Sequence, residues 1–140
     1  MENQNLSRPF LIEFNGQFVV NPRMDDNMAF DGRVPASVGD RSNAAVFELS
    51  EGYLRKVGGQ GPPMHFGRFV VEPLAFMPMP VYWIPEQSMV QPCNYTGEEN
   101  SPRIFESRGF HIGVLPGDEN LVRAMPPHMF PGSEMKVHWQ

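Results

Sequence analysis

No stretch of this 140-residue chain longer than twelve residues is free of both glycine and proline, and that one runs from Asp40 to Glu51. Proline breaks a helix interior, and glycine there costs about 1 kcal/mol relative to alanine. Isolated helices below about 12–15 residues are marginal even in favourable sequences. Thirteen glycines and fifteen prolines, spread from end to end, therefore exclude helix as the organising element and predict an all-β chain.

Strand signals agree. "FLIEFNGQFVV" reads as a hairpin with Asn15-Gly16 at a type I′ turn. A two-residue loop sets Phe14 opposite Gln17, Glu13 opposite Phe18, Ile12 opposite Val19 and Leu11 opposite Val20. Both faces are then largely apolar, which predicts a central hairpin covered on both sides. "VFELSEGYLRKV" repeats the form around Glu51-Gly52, with Leu49 facing Leu54 and Glu48 facing Arg55 as a cross-strand ion pair. "IFESRGFHIGVL" is a third copy, with Gly109 at the turn and Phe110, Ile112 and Val114 in phase. "MKVHWQ" alternates, placing Met135, Val137 and Trp139 inward and Lys136 and His138 outward.

The turn glycines Gly16, Gly52 and Gly109 are unevenly spaced, which disfavours a threefold repeat. The expectation is one domain over residues 1–140, a closed barrel or sandwich built from hairpins, with a β-trefoil as the alternative. Composition reads residues 58–67 as a loop and residues 86–102 as a longer one, a candidate binding loop.

Charge narrows the partners. Eleven Lys plus Arg against sixteen Asp plus Glu give a net charge of −5, and Arg55-Lys56 is the only adjacent cationic pair. Nucleic acid and anionic membranes both need concentrated positive charge, so neither is expected. The most apolar run, residues 69–83, is shorter than the about 20 residues of a membrane span and is broken by Glu72 and prolines. Cys93 stands alone, so no intrachain disulfide or cysteine-based zinc site is expected. If Met1 is the native start, the polar N-terminus predicts a cytoplasmic protein. If a leader has been removed, the chain is secreted and Asn94-Tyr95-Thr96 becomes a glycosylation acceptor.

From Phe47 onward, "FELSEGYLRKV", "GFHIGVLPGDENLVRAMPP" and "GSEMKVHW" resemble small fungal secreted β-proteins of the phialide cell-wall type. The resemblance implies an all-β fold and a fungal origin, and it transfers no catalytic residue. The chain departs from that type in a polar N-terminal stretch where a leader is expected, a single cysteine, and Met125-Pro126 where Cys-Pro is common.

His65, His111, His128 and His138 have no paired spacing on one element, so no metal site is expected. Cys93, Ser107 and Ser133 lack the context of a nucleophile. "GGQGPP" neither precedes a helix nor carries a Lys-Ser/Thr pair, so it reads as a turn cluster rather than a phosphate loop. Glu72 is the sharper case. On an apolar strand face with Val70 and Leu74, its carboxyl would be suited to general acid or base work, with His65, Tyr82 or His111 as partner. The competing expectation, which is favoured, is that Pro73 turns Glu72 away or that Arg68 pairs with it.

Ten methionines point to adaptable apolar surface. Prolines keep "FMPMPVYW" and "RAMPPHMF" at edges or rims, where Met64, Phe66, Phe76, Met77, Met79, Tyr82, Trp83, Met125 and Met129 would line a cavity. Sugar binding would instead use Tyr53, Tyr82, Trp83, Tyr95 and Trp139 with Asn94 and Asp118. The leading expectation is a cofactor-free protein holding a small apolar molecule in such a cavity. The alternatives are an isomerase or cyclase using Glu72, and a fungal lectin or cell-wall interaction protein. Oligomeric state is left open.

Overall fold

The computed structural model describes residues 2–23, 31–59, 63–72, 78–115, 120–127 and 134–140. They form fourteen strands and three short 3-10 turns, with no α-helix among the described residues. The strands are β1 (Leu6–Phe14), β2 (Gln17–Val19), β3 (Val34–Pro35), β4 (Val38–Gly39), β5 (Phe47–Ser50), β6 (Tyr53–Lys56) and β7 (His65–Gly67). They continue with β8 (Met79–Pro80), β9 (Tyr82–Ile84), β10 (Asn94–Glu98), β11 (Ser101–Ser107), β12 (Phe110–Val114), β13 (Val122–Met125) and β14 (Met135–Trp139). The all-β expectation holds.

Turn chemistry explains the hairpins. Asn15-Gly16, Glu51-Gly52 and Arg108-Gly109 all have positive φ at both positions, 51° and 89°, 52° and 88°, 50° and 84°. Paired positive φ values match the twist of the flanking strands. In the second hairpin Leu49 faces Leu54 and Glu48 faces Arg55, with an ion pair between the latter two. The first hairpin keeps only Phe14–Gln17 and Glu13–Phe18. Val19 and Val20 do not continue opposite Ile12 and Leu11. Val19 pairs with Val38, and Val20 bridges to Ala44.

β1 is nonetheless central. β5 and β2 share one of its edges and β14 runs along the other, so Phe10 pairs with both Phe47 and Trp139. Pro9 falls inside a ladder irregularity between Leu6 and Phe10, where its missing N–H is tolerated.

Nine strands make one sheet, ordered β3-β9-β7-β6-β5-β1-β2-β4 with β14 also on β1. A second sheet runs β10-β11-β12-β13-β8. The two ends of the first order, β3 and β4, are halves of one segment, Val34 to Gly39, joined by Ala36 and Ser37. The larger sheet therefore curls until its ends share this strap. The strap also receives the second sheet. Val122 N–H donates to Ala36 O (3.0 Å), Val38 N–H to Asn120 O (2.7 Å), and Ser37 bridges to Leu121. Between the sheets lies one core, with Phe10, Phe47, Phe66 and Trp83 from the first and Phe105, Ile112 and Val122 from the second.

Four expectations need correction. The loop read over residues 58–67 ends early, because His65–Gly67 pairs with β6 on one side and β9 on the other. Most of the loop read over residues 86–102 is a hairpin, β10 with the start of β11. Tyr95 is buried at its centre, and Pro102 sits at a bulge opposite Gly97. The prolines do place β8 at the edge of its sheet, but Tyr82–Ile84 lies inside the larger sheet, between β3 and β7. On β14, His138 is half-buried rather than outward, with Nε2 2.8 Å from Glu13 Oε1 and its ring 5.1 Å from that of Phe18.

Candidate functional site

After Gly67, Phe69 bridges to Val90, and Val70 N–H donates to Met89 O. The chain then turns. Val70 and Val71 face solvent at 39% and 73% exposure, while Glu72 folds back beneath them. Its carboxylate Oε1 accepts from Arg68 Nη2 (2.6 Å) and Gln91 Nε2 (3.1 Å). Arg68 itself is buried, donates through Nη1 to Ser107 O (2.5 Å), and lies 4.2 Å from the Phe110 ring centroid. Gln91 closes the cluster by donating to Phe69 O (2.8 Å). Of the two fates read for Glu72, the pairing with Arg68 is the observed one. Val70 does not share its face, and Leu74 lies outside the described residues.

Each of the four acid–base candidates has a described partner outside that set. His65 Nδ1 lies 3.3 Å from Ile84 O, and a carbonyl only accepts, so Nδ1 carries the proton there. His111 Nε2 is 3.2 Å from Glu106 Oε2. Tyr82 carries the Arg33 guanidinium at 4.9 Å from its ring, on a cation that also stacks on Phe69 at 4.0 Å. Each of the four is thus held by a different partner.

The residues expected to rim an apolar cavity are mostly core. Met64, Phe66, Met79, Trp83 and Met125 are buried, and Tyr82 is half-buried. Phe76, Met77 and Met129 lie outside the described residues. Among the sugar-binding candidates, Trp83 and Tyr95 are buried and cannot stack on a ligand, and Asp118 lies outside the described residues. Among the described residues no cluster of three His, Cys, Asp or Glu side chains could hold a metal ion, and no helix is long and apolar enough to cross a membrane.

Cys93 is sealed in the core, and burial pushes its thiol from an ordinary 9.0 up to about 12. A thiol reagent at pH 8 is expected to leave the folded chain untouched and to titrate one thiol in urea. Labelling of the native chain at the rate of a free thiol would show the core open at Cys93. The sign for stability follows: the unfolded thiol ionises above pH 9 while the folded one stays protonated, so alkali between about 9 and 12 weakens the fold.

A cleft of about 960 Å³ lies elsewhere, along the strap. Val34, Val38 and Leu121 supply apolar wall, and Arg23, Asp40 and Asn120 polar wall. Asp40 opens the 3-10 turn Arg41–Asn43, yet its side chain makes no capping hydrogen bond. These residues escaped the sequence reading because β3 and β4 are two residues each. No periodicity can be read from such pieces, and the only signal was the Pro35 and Gly39 punctuation. Comparison with protein-family models, curated protein sequences and solved structures gives no match.

Proposed function

We propose that this chain binds a small amphipathic molecule in the cleft along the strap. The observation that carries the reading is the cleft itself. At about 960 Å³ it falls within the range of about 300–1,000 Å³ typical of ligand pockets. Its walls suit a ligand with an apolar body and hydrogen-bonding groups: Val34, Val38 and Leu121 bury the first, while Arg23, Asp40 and Asn120 orient the second. Among the described residues no aromatic side chain lines it, which argues against sugar stacking. In the same reading the strap closes the larger sheet into a barrel, with the cleft at the closure. The support is that β3 and β4, at opposite ends of that sheet, belong to one segment. Glu72, His65, Tyr82 and His111 are described only with partners outside that set, which gives an acid–base enzyme no comparable support.

An anilinonaphthalene sulfonate probe, with an apolar ring system and a charged group, tests this. Saturable fluorescence enhancement at one probe per chain is expected, and Ser37→Trp, which fills the cleft, should weaken it by at least about tenfold. Enhancement that is absent, or unchanged in a folded Ser37→Trp variant, would remove the cleft as a site.

A further inference from the structure

We propose that Arg33 is a positioning residue for the cleft along the strap: it clasps the start of the strap to two neighbouring segments and so sets the wall against which a ligand packs. The inference rests on the cleft being the binding site. Arg33 does not itself line the cleft, but Val34 and Pro35, the two residues that follow it, do.

Strand order brings the clasp together. β3 pairs with β9, setting Val34 opposite Trp83 and Pro35 opposite Tyr82, and β9 pairs in turn with β7, setting Tyr82 opposite Gly67. Arg33 precedes β3, Tyr82 belongs to β9, and Phe69 follows β7. The Arg33 guanidinium lies 4.0 Å from the Phe69 ring centroid and 4.9 Å from that of Tyr82. One cation therefore meets rings from two other segments of the same sheet.

The turn before β3 aims that cation. Asp31 Oδ1 accepts from the Arg33 backbone N–H (3.2 Å), and Oδ2 lies 3.3 Å from Nε. Gly32 between them has a φ of 87°, and a Cβ there would meet Pro85 at 3.0 Å, so glycine is required. Two rings and a carboxylate thus converge on one side chain that is only 26% exposed. Attraction between a cation and an aromatic face grows as water is excluded from it.

The near end of the strap needs such a clasp. β3 is two residues long, so its ladder contributes few hydrogen bonds. The far end is tied on two sides, by the pairing of β4 with β2 and by Val38 N–H donating to Asn120 O. With the clasp released, a ligand would have to order Val34 and Pro35 as it binds, and its affinity falls by that cost.

The experiment titrates the full chain with two probes, the anionic anilinonaphthalene sulfonate and the uncharged N-phenyl-1-naphthylamine, under conditions where each variant is folded. Arg33→Met keeps the stem and removes the cation, and it should weaken both probes about tenfold at unchanged stoichiometry. Phe69→Leu should weaken both as well. The double variant should bind as Arg33→Met alone does, because the two changes remove one contact. Tyr82→Phe keeps the second ring and should bind as the original chain does. A loss confined to the sulfonate would mean that Arg33 acts by its charge on the ligand, and would overturn the clasp. If Arg33→Met fails to fold, Phe69→Leu reads the same contact from the ring side. No saturable enhancement with either probe in the original chain removes the cleft and the clasp together. Saturable binding that persists unchanged in folded Arg33→Met or Phe69→Leu overturns the clasp alone.

Discussion

Glu72→Ala is expected to destabilise the chain by about 3–5 kcal/mol, because it leaves Arg68 buried without its counter-ion. Arg68 would keep only the Ser107 carbonyl and the face of Phe110 as partners for its charge. Gln91, which also donates to Glu72 Oε1, would lose one of two acceptors. Glu48→Ala is the contrast. That carboxylate also faces an arginine, but the pair is substantially exposed, at 34% and 51% of side-chain area, and its loss should cost less than about 1 kcal/mol. Replacing both buried partners, Arg68→Met with Glu72→Met, should cost much less than Glu72→Ala alone, since no charge is then stranded. Urea unfolding of the four chains decides the matter. A Glu72→Ala cost no larger than that of Glu48→Ala would mean that Arg68 reaches water.

Phe47→Ala is the second large effect, about 4 kcal/mol. Phe47 is fully buried and meets three other rings: Phe10 at 6.0 Å, Phe66 edge-on at 5.3 Å, and Trp83 stacked at 5.4 Å. Phe10 in turn stacks on Phe105 at 6.0 Å and meets Trp139 edge-on at 5.8 Å. The aromatic chain therefore runs from Trp83 in the larger sheet to Phe105 in the second, and Phe47 is its middle link. Truncation should lower the urea midpoint and reduce the near-ultraviolet circular dichroism of Trp83. A loss below about 2 kcal/mol, or an unchanged aromatic signal, would show that neighbouring rings close the gap.

What could be read from the sequence was local. The hairpins at Asn15-Gly16, Glu51-Gly52 and Arg108-Gly109 were legible because turn residues and alternation lie within a dozen positions of each other. Even cross-strand partners such as Glu48 and Arg55 followed from the turn. Arg68–Glu72 was legible for the same reason. Gln91 and Ser107, which complete that cluster, come from elements 19 and 39 positions away from Glu72 and Arg68 and left no local mark. Composition misled where pairing overrode it. His65–Gly67 sits among glycines and prolines yet takes a central position, because β6 and β9 supply partners on both edges. Methionine content argued for adaptable surface, but it carries no information about depth. Met64 and Met125 lie in the core.

The strap has a kinetic consequence. Ala36 donates to Val81 and accepts from Val122, residues 45 and 86 positions further along the chain. Contacts of such long sequence separation repay their loop-closure entropy only when most of the intervening chain is already ordered. The hairpins can form early and independently, each around its own turn. The strap closes only after β9 and β13 are both in place, so completing the cleft is a late event that waits on the whole chain.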